Sequence, residues 1–405
     1  MSDFHQTGVV ATLHHLGNAD PARLERELVT LSKIRPLALV LPSLYSELEG
    51  PALGRIIEEL RQVPYIHEIV ISLDRADERQ FETAREFFSR LPQRHRIIWH
   101  DGPRMREVFH KLKREGLYLG EQGKGRGAWM SYGYILSRGQ ASVIALHDCD
   151  ILTYKRDVLA RLVYPVMNPN IDYRFCKGFY SRISTRMHGR VTRLLMTPLI
   201  RALKTIVGHL PMIQYLDSFR YILAGEFAMD SDLARVNRIP ADWGLEVGML
   251  AEIFRNATTK RVCQVDLAIN YDHKHQTFSA GAPDSGIMKM AIDICKSLLR
   301  TLAAEGVVFS EGLLRSLLAA YKRTAEDHIE RFSADSKING LEFDRHGEET
   351  AVEALTQAIR LAGEQFVEDP LGAALIPNWS RVTSAAPNVL DELAAAVDAD
   401  NAKGA

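Results

Sequence analysis

Asp148-Cys149-Asp150 is the strongest chemical signal in the chain. It follows directly from the apolar run Val143-Ile144-Ala145-Leu146, and ligands of open α/β sheets sit at the carboxyl ends of strands. Two carboxylates one residue apart at such an end can share one divalent ion. Magnesium carried by a nucleoside diphosphate favours one or two carboxylates, with phosphate oxygens and water completing its shell. The ion neutralises charge that builds on a leaving diphosphate. Aspartate is also common in the turns that end strands, but the apolar flanks favour a site over a turn. Cys149 reads as a small packed residue, because flanking carboxylates disfavour the reactive thiolate.

Other segments can complete such a site. Pro42-Ser43-Leu44-Tyr45-Ser46-Glu47 leaves the first strand and Ser72-Leu73-Asp74 leaves the second. Side by side, these ends offer room for a base and ribose, with Asp74 accepting from a uracil imide or a ribose hydroxyl. Each is also ordinary turn chemistry. Gly123-Lys124-Gly125-Arg126-Gly127 lacks the spacing of a P-loop, yet a lysine between glycines before a helix can reach a diphosphate. Glu246 opens an apolar helical run; it is a helix N-terminal acid or a carboxylate facing a sugar. Asp272-His273-Lys274-His275 follows a strand-like segment, and His273 or His275 is a candidate further metal ligand.

Positive charge is concentrated at Arg174, Lys177, Arg182, Arg186, Arg190, Arg193, Arg201 and Lys204, in a chain of formal net charge -1. Such asymmetry points to an anionic partner. Within the segment, Arg190 can grip a phosphate or carboxylate in bidentate fashion. Thr192 adds a hydroxyl, and Gly189 lets the backbone approach closely. Thr197-Pro198 reads as an N-cap and first helical residue, with Gly189-Arg190-Val191-Thr192 in the loop before it. Two readings compete: a solvated basic face, and membrane contact through Leu194, Leu195, Leu199, Ile200, Leu203, Ile206 and Val207.

The elements that must hold these residues alternate. Strands are expected at 37–41 (ending at Pro42), 67–72, 96–99 and 141–146, with helices at 51–62, 76–91 and 127–138. This order predicts parallel strands with helices on both faces. A further strand is expected at 262–269. The last third carries three amphipathic helices, around 287–302, 314–325 and 352–366, whose apolar faces must pack on the α/β part, on each other or on a second subunit. The Ala- and Asp-rich tail from about 385 is expected to fray. The chain thus divides into an α/β domain over 1–280, with a donor half at about 30–150 and an acceptor half at about 170–280, and a helical region over 281–405.

Composition excludes some classes. The 405 residues are 46% hydrophobic and 25% charged, ordinary for a globular protein. The near-zero charge argues against a nucleic-acid binder. Four dispersed cysteines without a CxxC pair argue against a zinc cluster or disulfide framework and fit a reducing cytoplasm. No run of about 18 apolar residues predicts a membrane span.

Taken together, the motifs resemble the glucosyl-3-phosphoglycerate synthases, retaining glycosyltransferases of the GT-A fold (glycosyltransferase family 81). The resemblance covers about 37–275 and rests on Gly123-Lys124-Gly125, Asp148-Cys149-Asp150, Gly189-Arg190-Val191-Thr192, Trp243-Gly244-Leu245-Glu246 and His273, in that order. It implies a mixed sheet flanked by helices with a helical C-terminal extension. It implies glucose transfer from an NDP-glucose to the 2-hydroxyl of 3-phosphoglycerate with retention. By resemblance, Gly189, Arg190, Val191 and Thr192 bind the acceptor, and Asp150 with His273 holds Mg2+ or Mn2+. Pro42, Ser43, Leu44, Glu47, Ser72, Asp74, Lys124, Asp148 and Cys149 bind the donor. Glu246 contacts the sugar or acceptor, and Glu246 and Asp150 are the catalytic candidates. A homodimer is expected.

The chain departs from the family pattern in places. The family's first loop commonly reads Pro-Ala-Leu-Asn-Glu-Glu, and Cys149 stands where serine is common. Aligning the late histidine needs a one-residue gap, which leaves His275 as an alternative to His273. The mannosyl-3-phosphoglycerate synthases use a similar acceptor, so glucose and mannose both stay open, as do uridine, guanosine and adenosine donors. A membrane-surface transferase acting on a lipid phosphate and a non-catalytic nucleotide-sugar binder are the rival classes.

Overall fold

One mixed sheet organises the computed structural model, which describes residues 6, 8–16, 20–268, 270–271, 286–372 and 374–402. Its strands are β1 (Ala11–Leu13), β2 (Leu37–Leu44), β3 (Ile66–Asp74), β4 (His95–Trp99), β5 (Val143–Leu146), β6 (Phe175–Tyr180), β7 (Phe227–Asp230) and β8 (Val262–Ala268). They lie in the order β1-β8-β6-β7-β5-β2-β3-β4. The strands read from apolar runs in the first half, β2, β3, β4 and β5, pair in parallel. β7 runs antiparallel to both β5 and β6, which makes the sheet mixed.

The continuous apolar runs follow from burial on both faces. Ala38 and Val40 of β2 and Ile144 and Leu146 of β5 face one core; Leu37, Leu39, Leu41, Val143 and Ala145 face the other. The first core also takes in the C-terminal helices, through Leu298 of the helix Gly286–Ala304, Tyr321 of Glu311–Ile338 and Leu355 of Arg345–Glu368.

Four expectations need correction. β2 does not stop at Pro42 but runs on to Leu44. Its pairing with β5 ends at Val40–Leu146, so beyond that point one side of β2 is an edge, where a proline leaves no ladder bond unmade. The helix expected from Gly127 begins at Lys124. Gly125 allows this, because a Cβ there would lie 2.1 Å from the Pro240 carbonyl oxygen. Thr197 is not an N-cap: a π-helical segment, Val191–Met196, runs straight into the helix Thr197–Val207.

The tail after 385 does not fray. Val389, Leu393, Ala396 and Val397 recur at helical spacing and are buried in the helix Val389–Asn401. The Asn401 side chain closes the exposed edge of β4, accepting from Ile97 N at 2.9 Å and donating to Ile97 O at 2.8 Å. Just upstream, Trp379 stacks on Trp129 at 4.3 Å between ring centroids and lies so close to Gly133 that a Cβ there would fall 2.0 Å from the indole. Each indole N–H donates to a carbonyl of the opposite segment, Trp129 to Pro377 O at 2.8 Å and Trp379 to Trp129 O at 2.9 Å. These contacts fix the helix Lys124–Arg138 from behind.

Candidate active site

Three parallel strand ends open into one cavity. The pairing puts Pro42 beside Ser72 and Leu44 beside Asp74, so these segments are the last residues of two paired strands and not loops, and they lie side by side as the alternation implies. A cavity of about 1040 Å³ is lined by Pro42, Ser43, Leu44, Glu47, Ser72, Asp74, Lys124, Asp148 and Cys149, all nine residues expected to meet a donor. Asp74 is buried; its Oδ1 accepts from Gln122 Nε2 at 2.5 Å and from Arg75 N at 3.2 Å. Ser72 Oγ pairs with His100 Nε2 at 2.8 Å. Burial drives the His100 pKa down to about 4, against the opposing pull of Asp74. Gly127 leaves room for this pair, since a Cβ there would lie 2.6 Å from Ser72 Oγ.

Lys124 stands at the centre. Its Nζ lies 2.6 Å from Asp148 Oδ1 and 3.3 Å from Glu246 Oε1. Burial alone would lower its pKa, but the Asp148 and Glu246 carboxylates outweigh that and hold the ammonium above the ordinary lysine value. The Asp148 carboxylate lies against the bare backbone of Gly225, where a Cβ would fall 2.2 Å from Oδ2. Any side chain at 225 would take the space of this carboxylate. Cys149 is buried, and burial followed by the Asp148 and Asp150 charges pushes its thiol well up, in keeping with a packed, unreactive residue. Beneath them Lys177 is buried in β6, donates to Ala224 O at 2.5 Å, and is held down to about 8 by burial.

A second cavity of about 750 Å³ lies on the far side and is lined by Gly189, Arg190, Val191 and Thr192. Lys124, Asp148, Asp150, Trp243 and Glu246 line both cavities and form their shared wall. Gly189 turns the chain into the π-helical segment with φ of 76°, a left-handed conformation that favours glycine. Arg190 Nε donates to Glu348 Oε1 at 2.8 Å.

The basic segment divides by environment. Arg182, Arg186, Arg190 and Arg193 line the second cavity, whereas Arg174 pairs with Asp230 at 3.6 Å and Lys204 with Asp217 at 2.9 Å. The membrane-contact reading is corrected: Leu194, Leu195, Leu199, Ile200 and Leu203 are buried in the core, and Ile206 and Val207 pack against it. No helix among the described residues is long and apolar enough to cross a membrane.

Asp148 and Asp150 suit a hard divalent ion, offering carboxylate oxygens at a strand end with open space beside them. Among the described residues no group of three or more His, Cys, Asp or Glu is placed to hold a metal. His273 and His275 lie outside the described residues. The reading from sequence quoted Trp243 in the motif that ends at Glu246 but gave it no site role; it lines both cavities. The same reading missed Tyr180 and Tyr221, which line the second cavity, and Glu348, one of several acids on a distant amphipathic helix with nothing local to mark it.

No protein-family profile matches the sequence. The chain is 48% identical over 401 residues to a glucosyl-3-phosphoglycerate synthase of Persephonella marina, covering 99% of each. It is 40% identical over 403 residues to that of Methanococcoides burtonii, covering 98% of each. The fold is similar to that of the Mycobacterium tuberculosis glucosyl-3-phosphoglycerate synthase, solved with Mn2+, UDP-glucose and phosphoglyceric acid: TM-score 0.54 and 18% identity, covering 74% of this chain and 89% of that one. The same synthase with Mg2+ and UDP gives a TM-score of 0.53 at 18% identity, covering 75% and 89%. On its near-complete alignment at 48% and 40% identity, the chain belongs to the glucosyl-3-phosphoglycerate synthase family.

Proposed function

We propose that this enzyme transfers glucose from UDP-glucose to the 2-hydroxyl of 3-phosphoglycerate, with retention at the anomeric carbon. The observation that carries the reading is the pair of cavities meeting at Lys124, Asp148, Asp150 and Glu246. One has room for a nucleoside diphosphate at strand ends; the other is lined by arginines suited to a small polyanion with a phosphate and a carboxylate. The mycobacterial relative, solved with UDP-glucose and phosphoglyceric acid together, supports the choice of substrates.

In this reading Asp74 and Ser72 orient the base and ribose. Asp148 and Asp150 would hold Mg2+ or Mn2+, which would supply charge neutralisation for the departing diphosphate. Lys124 adds a fixed positive charge beside it, kept protonated by the two carboxylates it bridges. Arg190 and Thr192 place the acceptor so that its 2-hydroxyl faces the anomeric carbon across the shared wall. Glu246 contacts the sugar or the acceptor hydroxyl from that wall. Front-face attack, with a donor phosphate oxygen accepting the hydroxyl proton, gives retention without an enzymic nucleophile. The protein's contribution is then positioning and electrostatics.

The test is a matrix of UDP-, GDP- and ADP-glucose and GDP-mannose against 3-phosphoglycerate and glycerol 3-phosphate, with Mg2+. The product's anomeric configuration is read by NMR. Glucosyl-3-phosphoglycerate with the donor's configuration is expected. No phosphoglycerate-dependent release of nucleoside diphosphate from any donor would refute the assignment.

A further inference from the structure

The loop that carries Arg190 leans on the C-terminal helices. Glu342 N donates to Thr185 O at 2.9 Å, and Tyr321 Oη donates to Leu194 O at 2.7 Å. The Arg193 guanidinium sits 4.8 Å from the Phe332 ring centroid. The last contact is Glu348, near the start of the helix Arg345–Glu368 and only 5% exposed. Its Oε1 accepts from Arg190 Nε at 2.8 Å and from Arg193 Nη2 at 3.3 Å, and its Oε2 accepts from Arg193 Nη1 at 2.8 Å.

The two arginines are used differently. Arg193 is nearly enclosed, and its Nε also donates to His188 O at 2.9 Å, so its guanidinium is committed within the protein. The Arg190 side chain is 30% exposed and lines the second cavity. Its Nε is taken by Glu348, while among the described residues its terminal nitrogens find no protein acceptor. A guanidinium anchored at Nε still has its terminal edge free for two parallel bonds to a phosphate or carboxylate. The buried carboxylate also offsets the repulsion between two adjacent cations.

We propose that Glu348 is a positioning residue for the acceptor: it anchors Arg190 through Nε and aims the terminal nitrogens at the acceptor's phosphate or carboxylate. The inference rests on the reading of Arg190 as an acceptor contact. It assigns part of the C-terminal helical region to substrate recognition. The competing role, a carboxylate that occupies the arginine until the acceptor displaces it, predicts the opposite sign on removal.

The test compares wild type, Glu348→Gln and Glu348→Asp by KM for 3-phosphoglycerate, KM for UDP-glucose with Mg2+, kcat and Tm. Glu348→Gln is expected to raise the acceptor KM about tenfold and leave the donor KM within about twofold, since it removes the charge from three charge-assisted bonds, one of them to Arg190. Glu348→Asp keeps the charge but loses reach, and a smaller rise confined to the acceptor is expected. If Glu348→Gln does not fold, the aspartate variant is judged by the same criteria. An unchanged acceptor KM, a fall in it, or an equal rise in both KM values overturns the proposal. A wild-type chain without phosphoglycerate-dependent turnover overturns the functional reading itself.

Discussion

The strand-end cavity and the loop cavity share a wall but are built by different means. The first is made where parallel strands stop, and its residues are placed by sheet register: Ser72 beside Pro42, Asp74 beside Leu44, Asp148 just past β5. The second is made by an irregular segment between β6 and the helix Thr197–Val207, steadied by residues more than a hundred positions away, Tyr321 and Glu348 among them. A site placed by register inherits the rigidity of the sheet. A site placed by docked helices depends on packing between elements, and that packing can be altered without touching the chemistry.

Four substitutions bear on this difference, in falling order of expected effect. Asp150→Ala should lower kcat/KM about a thousandfold, because it removes a carboxylate proposed to hold the divalent ion that neutralises the departing diphosphate. A loss under about tenfold in a steady-state assay would remove the strand end from the chemistry. Arg190→Ala should raise the acceptor KM about a hundredfold and leave the donor KM within about twofold. Equal effects on both would merge the two cavities into one. Lys124→Met should raise both KM values about tenfold, since Lys124 stands in the shared wall and its loss leaves Asp148 and Glu246 without their common cation. An effect on only one substrate would move Lys124 out of the wall.

The smallest effect concerns stability and pH. Buried His100 has a pKa lowered to about 4, below the ordinary value of 6.5. Between those values the unfolded chain takes up a proton that the folded chain refuses. Stability is therefore lost as pH falls from about 6.5 towards 4, by about 1.4 kcal/mol per pH unit for this group. His100→Asn should flatten the slope of unfolding free energy between pH 6.5 and 5 by about that amount, measured by denaturant titration. An unaltered slope would mean that His100 is not held neutral behind Ser72.

The same contrast explains what the sequence revealed. Asp148 could be read because its strand is a run of four apolar residues and the carboxylate follows within two positions. Strands β2, β3, β4 and β5 were legible for the same reason, as were the three long C-terminal helices, whose apolar faces repeat at helical spacing. The exit of β2 was misread because Pro42 usually ends a strand, and only the early end of β5 shows why it does not here. The start of the helix at Lys124 depends on the close approach of Pro240, which no local pattern announces. Tail packing was missed because alanine-rich helices have weak apolar contrast, while the Trp129–Trp379 stack joins residues 250 positions apart. Arg190 was legible as a cation in a basic run. Its orientation was not, because Glu348 reaches it from another helix.

The most direct test of two cavities meeting at one wall is whether both fill at once. Calorimetric titration of wild-type protein with 3-phosphoglycerate, with and without saturating UDP and Mg2+, decides this. The account predicts one phosphoglycerate bound per chain under both conditions, with Kd changed by no more than about threefold. Loss of phosphoglycerate binding when UDP and Mg2+ are present would contradict it, because the two ligands would then be competing for a single site.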